Sequence, residues 1–166
     1  LSSEGEVLTL TDPSGVTVDQ LATGRLYLDQ SVGRPATGAA TVTHFLSPTP
    51  GSANSSEGKA GYTQAPVIYP DGGLLRRRLP IEASSSTPGA ELRYTLDGSD
   101  PTETSPLYQT NLTLPASAKG VIPLRVRAFA PGLWPSRVTT ASFITAHPHT
   151  LSVLSLVTDP SLIWGA

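Results

Sequence analysis

Cysteine and methionine are both absent from this 166-residue chain, aromatic residues make up 6% and charged residues 14%. Without cysteine there is no disulfide framework, no thiol nucleophile and no cysteine-based zinc or iron–sulfur centre. No run approaches the roughly 20 apolar residues needed to cross a bilayer as a helix. Neither sign of charge dominates, 11 Lys and Arg facing 13 Asp and Glu for a net charge of -2, so the electrostatic footprint of a nucleic-acid or anionic-membrane binder is missing. The lack of methionine, with Leu1-Ser2-Ser3-Glu4 offering neither a basic nor an apolar leader region, reads as an excised or processed piece. What is abundant is punctuation: Gly, Pro, Ser and Thr fill 70 of the 166 positions, which favours turns and extended segments and excludes an all-helical bundle. The length allows one domain or two small ones, and a domain of roughly 60 residues buries only about 60% of its unfolded surface.

Along the chain the pattern is all-β. Glu6–Leu10 and Val16–Val18 are short β-rich stretches separated by Asp12-Pro13-Ser14-Gly15, a hairpin signature in which Pro13 presets φ and Gly15 tolerates a positive one. Leu26–Leu28 and Thr41–Phe45 read as further strands. The polar stretch Ser47–Gly58 has nothing to bury and is where a domain boundary is expected. In a second β-rich unit, from about Tyr62 to Ala146, Leu79, Ile81 and Ala83 alternate with polar positions or proline. Leu124, Val126 and Ala128 alternate with Arg125, Arg127 and Phe129 in the same way, the period of a sheet with one buried face. Arg125 and Arg127 are thus expected to face solvent. Leu92–Leu96 and Val138–Ile144 add strands, for six or seven in the unit, with turns spaced as in sandwiches. The expected core of that unit is Ile81, Leu92, Tyr94, Leu124, Val126, Ala128, Val138 and Phe143.

Three segments resemble known families. Leu92-Arg93-Tyr94-Thr95-Leu96-Asp97-Gly98-Ser99-Asp100-Pro101-Thr102, then Ser105-Pro106-Leu107-Tyr108, Val126–Ala130 and Gly132-Leu133-Trp134-Pro135-Ser136, resemble the chitobiase/β-hexosaminidase C-terminal-like domain over about residues 66–144. That resemblance implies a small immunoglobulin- or fibronectin-like sandwich, non-catalytic, appended to secreted bacterial proteins. Gly5–Leu10, Asp12–Gly15, Val18-Asp19, Ser31–Arg34 and Pro48–Asn54 are similar to the second half of a bacterial lamin-tail domain, whose opening strands would have to come from elsewhere. The run His149–Pro160 resembles the entry into the spore-coat CotH kinase-like domain, with none of that family's nucleotide-binding segments. Together these give tandem immunoglobulin/fibronectin-like β-sandwiches, the first incomplete. The implied organisation is a lamin-tail-like part at 1–56, a linker at 57–65, a chitobiase C-terminal-like sandwich at 66–146, and a linker with the first CotH-like strand at 147–166.

Few residues suggest chemistry. Asp97 and Asp100, with Ser99 between them, could wrap a calcium ion, or could organise a turn in which Asp100 bonds the backbone beyond Pro101. His147 and His149 share one side of an extended segment but have no third ligand nearby, and His44 has no defensible Ser and Asp partners. Arg76, Arg77 and Arg78 form the one charge run, either a phosphate or acidic-polysaccharide grip or a solvated loop, and they depart from the Tyr-Thr-Ser kind of stretch usual in the resembled family. Trp134, expected exposed in a turn, could stack on a sugar ring. Asn54-Ser55-Ser56 and Asn111-Leu112-Thr113 fit the N-glycosylation pattern, incidental in a bacterial protein. The expectation is a non-enzymatic, cofactor-free extracellular or cell-surface spacer, scaffold or assembly element. Its partner would be the rest of its own polypeptide or a neighbouring chain completing the first sandwich. A carbohydrate-binding accessory attached to an enzyme, or the non-catalytic N-terminal region of a CotH-like kinase, is the alternative.

Overall fold

The computed structural model describes residues 5–35, 39–75, 80–114, 120–145 and 157. The chain divides into two units, Leu1–Gly61 and Tyr62–Ala166. Among the described residues every regular element is a strand.

The first unit opens with a hairpin of β1 (Val7–Thr11) and β2 (Thr17–Ala22). Its turn is built by Asp12, whose carboxylate accepts from Ser14 N, Ser14 Oγ and Val16 N at 2.9, 2.6 and 2.9 Å, while Gly15 takes φ 88°. Two or three donors on one carboxylate fix the reversal without a buried side chain. β3 (Ser31–Gly33), β4 (Thr43–Phe45) and β5 (Gly58–Lys59) form an antiparallel sheet in that order. Phe45 is buried there, and Gly58 has no side chain because an added Cβ would lie 2.7 Å from the Phe45 ring. No strand forms at Leu26–Leu28: Asp29 at φ 57° turns the chain, and Leu28 is left 93% exposed.

The polar stretch after β4 is not an open tether. Ser52 N bonds Thr49 O at 3.1 Å, Thr49 Oγ1 bonds Ala53 O at 3.1 Å, and Asn54 Nδ2 donates to Arg34 O at 2.8 Å. These bonds fold the loop back so that Gly58 and Lys59 pair with Phe45 and His44. Gly58 and Lys59, expected in a linker, therefore sit in the first unit's sheet, while Thr63 and Gln64 bond into the second unit.

The second unit is a two-layer packing. One sheet has the order β7 (Gly73–Leu75), β11 (Thr139–Thr145), β10 (Gly120–Phe129), β9 (Glu91–Thr95). The β11–β10 and β10–β9 pairs are antiparallel and the β7–β11 pair is parallel. The facing sheet is β6 (Val67–Tyr69) with β8 (Glu82–Ser84), extended by the Ile81–Leu112 bridge. Strict alternation along β10 sends Ile122, Leu124, Val126 and Ala128 inward against Ile68, Ile81, Leu92, Leu114, Ala141 and Phe143. Fully burying one such side chain is worth about 1.5–3 kcal/mol. Of the expected core, Val138 and Tyr94 are only half-buried, because Ile68, Ile122, Leu114 and Ala141 fill the space between the layers. Leu79 lies outside the described residues.

Two special residues shape this sheet. Gly72, at φ 126°, lets the chain approach β11 so closely that a Cβ would lie 2.8 Å from Ser142 O. Pro123 pairs with Ser142 on one side, while β9 begins its pairing only at Arg125, so the missing N–H falls where β10 has a single strand neighbour among the described residues.

Candidate functional site

The loop after β9 gathers a polar constellation in the second unit. Asp97 accepts from Ser99 N at 3.0 Å and Ser99 Oγ at 2.6 Å, and Thr95 Oγ1 donates to Ser99 O at 2.6 Å. Gly98 takes φ 89°, closing the reversal. Asp100 forms an ion pair with Arg125, which also donates to Gly98 O. The backbone N–H beyond Pro101, that of Thr102, goes to Ser105 Oγ at 2.9 Å, a role expected of Asp100. Both carboxylates named as metal candidates are thus engaged by their own loop and by β10, and among the described residues no three His, Cys, Asp or Glu side chains cluster as a metal site.

Arg125 and Arg127 point to the outer face of the sheet, as alternation requires, but neither stands free in solvent. The loop crosses over Arg125, whose side chain is largely covered. Arg127 donates through Nε to Ser136 O at 2.8 Å and lies 5.8 Å from the Phe129 ring centre. Burial pulls its guanidinium below the ordinary arginine value, an effect opposed by the charge of Asp100. Arg93, opposite Arg127 in the ladder, is held by Glu91 at 2.8 Å and by Ser105 O at 3.0 Å. These interactions separate like charges that would otherwise oppose each other across two strands.

Trp134 is buried, with 8% of its surface exposed, so its ring is not a sugar-stacking platform. The covering chain comes from about 70 residues upstream: Tyr62 bridges to Trp134 in parallel, and Thr63 N and Oγ1 both donate to Trp134 O, at 2.9 and 3.1 Å. Among the described residues of the unit the exposed aromatic is Tyr69, in β6. Arg76, Arg77 and Arg78, and likewise His147 and His149, lie outside the described residues. His44 sits in β4 opposite Val32 and Lys59. Asn54 uses its amide on Arg34 O, whereas Asn111 is exposed at φ 65°.

Sequence reasoning missed two polar residues that hold this scaffold. Tyr108 reaches the facing layer, its hydroxyl donating to Ile81 O at 3.0 Å and accepting from Ala83 N at 2.9 Å. Buried Ser136 accepts from Ala128 N at 2.9 Å and donates to Arg137 O at 2.7 Å. Both lie within the motifs that carry the family resemblance, Ser105–Tyr108 and Gly132–Ser136, but nothing in the sequence assigns them these bonds.

The first unit carries an exposed apolar surface on its hairpin. Val7, Leu10, Val16 and Val18 on the hairpin are each 60–63% exposed, and Leu8 is exposed too. A shallow groove of about 210 Å³ runs along Leu8, Leu10 and Leu21 toward Asp19 and Arg34. Arg34 grips Asp19 bidentately at 2.8 and 2.7 Å and donates to Gln20 O at 3.2 Å, tying the hairpin to the end of β3. That pairing holds the Asp19 carboxyl below the usual aspartate value, and the Ser14 hydroxyl does the same for Asp12. β2 has its flank covered at Gln20 by this arginine. β1, which contains no charged residue, has no strand beyond it among the described residues.

Among the described residues no helix is long and apolar enough to cross a membrane. Neither a curated protein nor a solved structure matches the chain. Residues 81–143 match the family model described as Fn3 associated, and with the two packed layers around that segment the second unit is an immunoglobulin/fibronectin-like β-sandwich.

Proposed function

We propose that this chain is a non-catalytic pair of β modules from an extracellular or cell-surface protein, serving as a spacer or scaffold. The observation that carries the reading is the use of polar groups in the second unit. Asp97, Asp100, Arg93, Arg125 and Arg127 are spent on the unit's own loops, and Trp134 is packed away. A site that binds or turns over a ligand keeps such groups convergent on a cleft. The resemblances to lamin-tail, chitobiase C-terminal-like and CotH-like segments point the same way, toward modules appended in large bacterial surface proteins. The test is retention of the full chain on chitin, cellulose and peptidoglycan. Passage through all three is expected; retention abolished by Tyr69→Ala, at the exposed aromatic, would replace this reading with a carbohydrate-binding accessory.

One observation favours assembly as a second role. Among the described residues the uncharged β1 is an edge strand beside an exposed apolar face, the geometry in which an extended strand of a neighbouring chain adds to a sheet. Concentration-dependent oligomers in size-exclusion chromatography are expected on this reading. A strict monomer at high concentration counts against it.

A further inference from the structure

The entry and exit segments of the second unit run in the same direction and meet at three places, on either side of β6, which itself pairs with β8 in the facing sheet. Tyr62 bridges Trp134 in parallel, Thr63 donates twice to Trp134 O, Thr139 Oγ1 donates to Pro66 O at 2.6 Å, and β7 pairs in parallel with β11, Gly73 to Leu75 against Phe143 to Thr145. Contacts between residues 62–75 and 134–145 therefore advance together along both segments. The chain enters at the start of the first segment and continues beyond the end of the second.

That arrangement decides how tension acts. A pull through the chain drags the first segment toward residue 62 and the second toward residue 145, in opposite directions along one shared axis. Parallel neighbours loaded this way are sheared, so the slanted, evenly spaced ladder bonds and the threonine ties bear the load together. Antiparallel neighbours loaded at adjacent ends are instead peeled one bond at a time. We propose that the three parallel contacts between segments 62–75 and 134–145, at Tyr62 and Thr63, at Pro66 and along β7, form a tension-bearing clamp, making the second unit a force-resistant link for chains pulled along their length. This rests on the spacer reading and adds to it a mechanical function.

Single-molecule pulling on the full chain tests it. Handles at the two chain ends load the second unit across both segments, and opening of residues 62–145 is recognised by a released length of roughly 280 Å. Since the chain has no cysteine, Glu91→Cys with Pro131→Cys supplies a second, unique pair of handles at the end of the antiparallel β9–β10 pair, which that geometry unzips. The expected result is a clearly higher unfolding force through the chain ends than through positions 91 and 131. In Thr63→Val/Thr139→Val, which removes two side-chain ties but keeps the Thr63 N–H bond, the end-to-end force drops toward the unzipping value and the force through 91 and 131 stays unchanged. Equal forces on both axes, or an equal fall on both in the double variant, overturn the clamp. Either result leaves the spacer reading standing, because that reading fails only on retention by a polysaccharide.

Discussion

A single hydroxyl illustrates how much of this scaffold is held by residues that look incidental. Tyr108 satisfies one donor and one acceptor on the segment leading into β8, and Tyr108→Phe strips both at once while keeping the ring. Leaving buried backbone groups unpaired costs about 1–3 kcal/mol, so the variant is expected to unfold at a lower urea midpoint with an unchanged slope. Asp12 and Asp19 act through charge instead. Both are held below the ordinary aspartate value in the folded chain, so their contribution to hairpin order is complete above that value. It is lost as pH falls through the lowered folded-state values. Amide exchange in β1 and β2 is therefore expected to accelerate under strong acid. Asp12→Asn, which keeps an acceptor but no titrating carboxyl, should remove the Asp12 part of that dependence.

At the scale of elements, β10 carries the second unit. Leu124 is completely buried at its centre, and Leu124→Ala is expected to cost about 2–5 kcal/mol by thermal or urea unfolding. Val18→Thr on the open hairpin should stay within about 0.5 kcal/mol, since the side chain is mostly in water. β10 was also the most legible strand, because its period of two is uninterrupted from Ile122 to Ala128. The hairpin was legible from Asp12-Pro13-Ser14-Gly15, a local signal for a local structure. What could not be read were events that bring distant segments together. The loop crossing Arg125 belongs to residues 98–100, the cover on Trp134 to residues 62–63, and the parallel partner of β11 to the short β7. Alternation correctly sends Arg125 outward, but only the fold shows that a loop is waiting there. Gly132 beside Trp134 marks a turn, and nothing in that neighbourhood announces Tyr62.

At the scale of the whole molecule, the two units differ in how they are held. Among the described residues of the first unit Phe45 is the buried apolar side chain, whereas the second encloses a ten-residue cluster. Calorimetry is expected to show two transitions, the first unit melting at the lower temperature, with Leu124→Ala moving only the upper one. A single cooperative peak shifted as a whole by that substitution would show the units to be energetically fused. Pro123 has a consequence of another kind. Where β10 outruns β9, the flank that no described strand covers offers an interrupted row of donors, and a strand arriving from outside finds no continuous ladder to extend. Copies of this sandwich crowded at high local density therefore stay separate beads along that flank rather than fusing into a common sheet.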